Sequence, residues 1–198
     1  MPELREADVA ADPLVQFERW FAEAGGAVPA PESMVLATAT PGGAPSARMV
    51  LLKEAGPDGF VFFTNYDSRK GRELAANPQA ALLFHWQPLG RQVRVEGPVE
   101  RLDEAASDAY FATRPLGARI GAWVSTQSTV IGSRDELEAA VETMHRHIGD
   151  ELERPPYWGG FRLRPQVFEF WQHRDDRLHD RLRYRREGDS WVMERLAP

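Results

Sequence analysis

The side chains that could do chemistry in this chain fall in a few short motifs. "RLHDR" sets Arg177, His179 and Arg181 at every second position. On a strand those three share one face, with Leu178 and Asp180 on the other. A basic face of that kind suits an anion. "TNYDSRKGREL" puts Ser68, Arg69 and Lys70 at a helix start, where free backbone N–H groups and the helix dipole already favour negative charge. Two cations there oppose the dipole by a few tenths of a kcal/mol each unless an anion sits between them. "ARMVLLK" brackets an apolar run with Arg48 and Lys53. Their odd separation turns them to opposite faces of a flat strand unless a bulge realigns them.

Three further motifs carry hydrogen-bonding groups. "RQVRVEG" places Gln92, Arg94 and Glu96 on one strand face. A Gln92 amide kept from water needs a partner with both donor and acceptor, such as the edge of a pyrimidine-like ring. "YFATRP" puts Tyr110 and Arg114 four apart on a helix, where a phenol and a guanidinium can clamp a phosphate. "AWVSTQS" gathers Ser125, Gln127 and Ser128 beside Trp123. Each motif also fits a plainer role: a solvated helix cap, strand-end charges, a polar outer face, a surface pair or an ordinary turn.

Other chemistries lack their residues. There is no GxxxxGK followed by Ser or Thr, no GxGxxG after a strand, and no GxSxG elbow, so phosphate must be met by side chains and helix ends. His145 and His147 stand two apart on a helix, so with Glu151 they do not form a converging metal set. The run "RLRYRRE" has no aromatic beyond Tyr184. With a net charge of −6 over 198 residues, neither nucleic-acid nor membrane-surface binding is expected. No cysteine is present, which excludes disulfides and thiolate chemistry and fits a reducing cytoplasm. No apolar run approaches the roughly 20 residues that span a bilayer, and "MPELREADVA" has no signal-peptide core. A cytoplasmic location is expected.

These motifs must be positioned by a single domain over 12–198, behind a flexible lead-in at 1–11. "DPLVQFERWFAEAGG" predicts a helix capped by Asp12, with Pro13 in its first turn, Gly25 at its end, and Leu14, Phe17, Phe21 and Ala24 as its apolar stripe. Strands are expected at 34–40, 46–54, 60–64, 79–86 and 91–101. Helices are expected over "SRKGRELAANP", over 103–115 and over "SRDELEAAVETMHRHIGDEL". The last of these opens on a capping box of Ser133 and Glu136. "GGFRLRP", "QVFEFWQ", "RLHDRLRYRRE" and "WVMERL" read as closing strands. Short strands at hairpin spacing predict a mainly β fold with flanking helices, an antiparallel barrel rather than a parallel βαβ sheet.

In this order the motifs resemble one family. "RMVLLK", "FFTNYDSRKGREL", "RQVRVEG", "YFATRP", "IGAWVSTQS", "WGGFRL", "EFWQ", "RLHDR" and the terminal "RLAP" are similar to those of the FMN-dependent pyridoxine/pyridoxamine 5′-phosphate oxidases. The resemblance runs from about residue 12 to the last residue. It implies an FMN-binding split β-barrel working as a homodimer, with FMN in the crevice between subunits and each site drawing on both chains. It implies oxidation of pyridoxamine or pyridoxine 5′-phosphate to pyridoxal 5′-phosphate, with O2 reduced to hydrogen peroxide.

Carried over residue by residue, the flavin contacts are Arg48, Met49, Val50, Leu51, Leu52, Lys53, Phe63, Thr64, Arg69, Lys70, Gln92, Gln127, Ser128, Trp171 and Arg181. The substrate contacts are Lys53, Tyr110, Arg114, Ala118, Arg177, Leu178 and His179, with Arg177 and His179 nearest the reacting carbon. Two positions depart from the family pattern. Ala118 stands where a serine usually helps hold the substrate phosphate, and Phe63 where a tyrosine is common. Two alternatives share these residues: a related flavin oxidase of another, phenazine-type substrate, and a carrier of FMN or pyridoxal phosphate without turnover.

Overall fold

A computed structural model describes residues 3–147 and 152–198. Among them are ten strands: β1 (Ser33–Ala39), β2 (Pro45–Leu51), β3 (Glu54–Gly56), β4 (Gly59–Asn65), β5 (Gln79–Trp86), β6 (Arg91–Arg101), β7 (Trp158–Leu163), β8 (Val167–Gln172), β9 (Asp180–Glu187) and β10 (Ser190–Arg195). All their pairings are antiparallel. The main path runs β10-β9-β8-β6-β5-β1-β2, and β7 and β4 continue from the far end of β6. Arg91–Glu96 of β6 pair with β8, whereas Val99–Arg101 pair with β7. The sheet therefore curls over itself at this strand into a half-barrel. Gly97 sits at the changeover, where a Cβ would meet the Arg164 carbonyl oxygen at 2.0 Å. Only glycine admits that approach.

Five helices flank the sheet: α1 (Pro13–Gly25), α2 (Arg69–Ala76), α3 (Glu104–Thr113), α4 (Leu116–Val124) and α5 (Arg134–His147). The first starts as its sequence dictates, with the Asp12 carboxylate accepting from the Leu14 amide at 2.8 Å. Its buried stripe is Gln16, Phe17, Trp20 and Ala24, with Leu14 and Phe21 at the rim. Trp20 is the anchor that the expected stripe omitted. Its ring meets Phe170 edge-on at 5.3 Å, and the Arg91 guanidinium covers it at 4.5 Å. Phe17 meets Phe60 and Phe84, so this helix closes the half-barrel with aromatic rings. Burying each ring is worth about 1.5–3 kcal/mol.

Several expectations are corrected. The run 46–54 is not one strand: β2 ends at Leu51, Leu52 turns into the core, and β3 starts at Glu54. "GARIGAWV", where the sequence predicts no element, forms most of α4. In the capping box, the Glu136 amide donates to Ser133 Oγ, but the Glu136 carboxylate accepts from the Gly132 amide. The predicted final helix is described only to His147, and Glu151 lies outside the described residues. The first part of "RLHDRLRYRRE" is a turn, not a strand. β9 begins at Asp180, and Arg177 has φ +67°, so the alternation expected of Arg177, His179 and Arg181 does not exist there.

The lead-in is also held down where it is described. Leu4 is buried, its amide donates to Asp180, and the Ala10 carbonyl accepts from the buried Tyr184 hydroxyl. No helix among the described residues is long and apolar enough to cross a membrane.

Candidate active site

A cavity of about 880 Å³ opens beside β2, and Arg48, Met49, Val50, Leu51, Lys53, Phe63, Thr64, Lys70, Tyr110, Arg114, Ala118 and Gln127 all line it. These twelve residues and Ser125, all singled out in the sequence, thus meet in one place. β2 makes this possible because among the described residues it is a sheet edge that pairs only with β1, leaving backbone groups of its outer side free for a ligand. Both faces of this edge strand reach the cavity, Arg48 and Val50 from one and Met49 and Leu51 from the other, so Lys53 and Arg48 line it together despite their odd spacing.

Lys70 is the electrostatic centre of one part of the cavity. It is 8% exposed, and its ammonium donates to Gln127 Oε1 at 2.7 Å and to Thr64 Oγ1 and Ser68 Oγ at 3.1 Å each. No carboxylate pairs with it among the described residues. Burial, reinforced by the Arg48 charge, lowers its pKa to about 8. Local structure fixes this group. Ser68 caps α2 by accepting from the Gly71 amide, and a Cβ at Gly71 would lie 2.1 Å from the Tyr66 carbonyl oxygen. The helix start is therefore pressed against the end of β4.

The neighbouring cations, Arg48 and Arg69, share one carboxylate. Glu73, buried, takes hydrogen bonds from Thr38 and Ser46 at 2.5 Å each, pairs with Arg69 at 2.9 Å and reaches Arg48 at 3.4 Å. Burial alone would push the Glu73 carboxyl up. Hydrogen bonds from Ser46, Thr38 and Arg69 outweigh it and hold its pKa down at about 2.

A stacked aromatic wall forms another part. Phe63 lies 3.9 Å from Tyr110 and 5.5 Å from Trp158, ring centre to ring centre, with planes within 20°. The Arg114 guanidinium packs over Trp158 at 4.4 Å, and Lys53 Nζ stands 5.9 Å from the Tyr110 ring. Arg114 Nη1 is buried without a hydrogen-bond partner. Burial lowers the Arg114 pKa, partly offset by Tyr110. Ala118, on the first turn of α4, adds only a methyl group to this wall.

The other sequence candidates lie elsewhere. Leu52 is in the core, Arg69 is largely exposed against Glu73, and Ser128, at φ +72°, lies in an exposed turn. Gln92, Trp171 and Arg181 stand directly opposite one another across β6, β8 and β9. They occupy the face away from the core, since Val93, Phe170 and Leu182 next to them are fully buried. Arg181 is oriented by Glu169, only 4% exposed, at 2.7 Å; this hydrogen bond raises the Arg181 pKa. Glu169 also holds Arg94 at 2.6 Å. His179 packs on Trp171 at 4.7 Å, and its Nδ1 accepts from the Arg174 amide at 3.1 Å. Arg177 and the exposed Leu178 share that turn. This second cluster does not line the cavity of the same chain.

Reasoning from sequence missed Trp158, Asn65 and the buried carboxylates Glu73 and Glu169. Trp158 had a readable signal in the glycine pair that follows it. Gly160 lets β7 approach Phe63, to within 2.9 Å of an added Cβ, and so seats the stack. Glu73 had one in its spacing of four from Arg69. Glu169 had none beyond its place in an apolar strand.

Comparison with known proteins gives the family and the fold. The family model described as pyridoxamine 5′-phosphate oxidase matches residues 22–147. That of the pyridoxine 5′-phosphate oxidase C-terminal dimerisation region matches residues 158–198. Pyridoxine/pyridoxamine 5′-phosphate oxidases from Burkholderia lata and Thermosynechococcus vestitus are 58% and 56% identical, each over 98% of this chain and 93% of the relative. Among solved structures, PhzG from Burkholderia lata 383, in complex with tetrahydrophenazine-1-carboxylic acid, superposes with a TM-score of 0.91 at 34% identity, over 99% of this chain and 98% of that one. An FMN-binding protein from Nostoc punctiforme related to pyridoxamine 5′-phosphate oxidase shares the fold, at a TM-score of 0.75 and 18% identity over 96% of this chain and all of that one. With both family models matched, over residues 22–147 and 158–198, and relatives more than half identical over nearly the whole chain, the chain belongs to the pyridoxamine 5′-phosphate oxidase family.

Proposed function

We propose that this protein is an FMN-dependent oxidase that converts pyridoxamine 5′-phosphate and pyridoxine 5′-phosphate to pyridoxal 5′-phosphate. The observation that carries the reading is a cavity with cations that lack anions in two places. Among the described residues Lys70 has no carboxylate partner, and Arg114 keeps a buried Nη1 with no hydrogen-bond partner. Buried charges left this way are costly unless a ligand completes them. Two phosphate monoesters, one on the coenzyme and one on the substrate, answer both.

FMN fits these residues. The hydroxyls and amide that hold Lys70 leave it charged and aimed into the cavity, ready for a phosphate at the start of α2. The free edge of β2 offers backbone groups to a flat ring. Bound FMN would supply two-electron chemistry, accepting the hydride lost from the 4′ carbon as amine becomes imine or alcohol becomes aldehyde and returning the electrons to O2 as hydrogen peroxide; water would then hydrolyse the imine to the aldehyde, releasing ammonia. The protein's part is position and charge. Lys53, Tyr110 and Arg114 grip the substrate phosphate. The stack of Phe63, Tyr110 and Trp158 keeps water off one side of the cavity.

The second cluster supports a homodimer. Gln92, Trp171 and Arg181 lie on the outer sheet face, with Arg177 and His179 in the turn that leads into β9, within or beside the segment matched by the dimerisation model. On this reading they complete the cavity of a partner chain, with FMN in the crevice between subunits. Because His179 Nδ1 accepts the Arg174 amide hydrogen, the ring proton sits on Nε2. On this reading the Nε2 hydrogen is the one that His179 offers to the substrate.

Turnover in air tests the proposal. Both phosphorylated vitamers should yield aldehyde and one equivalent of peroxide. A yellow protein that binds them and forms no peroxide would be a carrier instead. A second reading, oxidation of a phenazine-type substrate, draws on the likeness to PhzG and on Ala118. It leaves the Arg114 guanidinium without a phosphate to hold, and turnover of a reduced phenazine in preference to both vitamers would favour it.

A further inference from the structure

One residue of "RLHDR" has no part in the roles above. Asp180 lies between His179 and Arg181 at the first position of β9, and its side chain is 18% exposed. Both carboxylate oxygens are engaged. Oδ2 accepts from the Leu4 amide at 3.1 Å, and Oδ1 accepts from Arg195 Nη1 at 2.9 Å. Arg195, at the end of β10, is bound in turn by Glu6 through two bonds of 2.7 and 2.8 Å, and it donates to the Leu4 carbonyl at 2.8 Å. Three distant segments meet at this carboxylate: the N-terminal residues, the start of β9 and the end of β10.

The same N-terminal residues touch the other end of the turn. Glu3 pairs with Arg174 at 3.4 Å, and the Arg174 amide is the donor that fixes His179 Nδ1. Residues 3–6 therefore bridge both ends of the turn carrying Arg177 and His179. Within that turn the described hydrogen bonds are few: Arg177 amide to Arg174 carbonyl at 3.3 Å, Leu178 amide to Asp176 at 3.0 Å, and Arg174 amide to His179. Arg177 is also held at φ +67°, a conformation that a non-glycine residue keeps only when its surroundings impose it.

We infer that Asp180 is a positioning residue: by tying the start of β9 to Leu4 and Arg195, it holds Arg177 and His179 in the geometry that the reaction uses. The inference rests on the function proposed above. It predicts a division of effects. Lys70 and the grip of Lys53, Tyr110 and Arg114 lie in the cavity, away from this knot, so binding through phosphate should survive its loss. The chemical step should not.

The test uses full-length yellow protein carrying Asp180→Asn, an isosteric change that removes the charge facing Arg195. Flavin bleaching by pyridoxamine phosphate is followed without oxygen. The bleaching rate at saturating substrate should fall tenfold or more, while the substrate concentration at half-maximal rate changes less than threefold and FMN stays bound. A wild-type rate in folded, yellow Asp180→Asn would overturn the inference.

If that variant loses FMN or fails to fold, Glu6→Gln decides. It loosens Arg195 from its exposed side and should slow bleaching about threefold; an unchanged rate would overturn the inference. Wild-type protein that bleaches with neither vitamer would instead refute the proposed function. The positioning role is then read from the His179 ring by nitrogen NMR. A single Nε2–H tautomer in wild type and a mixed population in Asp180→Asn support it, and identical spectra overturn it.

Discussion

Replacing Lys70 by methionine should make the FMN-free protein more stable and, at the same time, a worse flavin binder. The size of the effect follows from the ammonium's surroundings. Its pKa falls from 10.5 to about 8, which corresponds to about 3 kcal/mol against the charged form in the fold. The sign is that of a cation whose folded pKa is lowered. The penalty is complete below pH 8 and fades as pH rises from about 8 to 10.5, where the unfolded chain also loses its proton. Methionine keeps most of the volume and removes the charge. The hydroxyls of Thr64 and Ser68 can turn to other partners, and the Gln127 amide loses one donor, which returns about 1 kcal/mol.

A net gain of about 1–2 kcal/mol remains at pH 7, or about 3–6 °C in Tm for a chain of this size. FMN affinity should fall about ten- to a hundredfold, the worth of one charged hydrogen bond to phosphate. Thermal unfolding of the flavin-free forms at pH 7 and pH 10, with quenching of FMN fluorescence on titration, reads both effects. A Lys70→Met protein that melts below wild type at pH 7, or that binds FMN equally well, would refute the reasoning.

Arg114→Met should raise the KM for pyridoxamine phosphate about ten- to a hundredfold and leave FMN bound, as steady-state kinetics on the yellow protein will show. Ala118→Ser, which adds a hydroxyl to the cavity wall, should lower that KM by up to about tenfold through one new hydrogen bond to phosphate; an unchanged value would place the phosphate away from α4. Glu73→Gln should lower Tm at neutral pH, because Arg48 and Arg69 lose their counter-charge. Since the Glu73 pKa is depressed to about 2 from 4.5, its contribution is present above pH 4.5 and lost as pH falls toward 2. The gap in Tm between wild type and Glu73→Gln should close across that window.

Much of the site was legible because its residues sit in short, dense motifs whose local structure is set locally. Asp12 and Ser68 cap helices as their types require, and Tyr110 and Arg114 reach one cavity from neighbouring turns. What stayed hidden depends on chain segments far apart in sequence. The strand break after Leu51 is dictated by Leu52 finding the core, a tertiary effect that an unbroken apolar run conceals. The turn at Arg177 reads as a strand because alternation of basic and other residues is equally compatible with β9 continuing backwards. Its true form depends on Leu4 and Arg195. Trp20 outranks Phe21 as the anchor of α1 because Phe170 and Arg91 lie on its side. A buried carboxylate such as Glu169 leaves no local trace, since its partners come from other strands.

The most direct measurement compares pyridoxamine 5′-phosphate with unphosphorylated pyridoxamine as reductants of the yellow protein without oxygen. If the cavity holds one phosphate at Lys70 and another at Lys53 and Arg114, the phosphorylated amine should bleach the flavin at concentrations at least about a hundredfold lower. Equal bleaching by both amines, or bleaching by neither, would contradict the account.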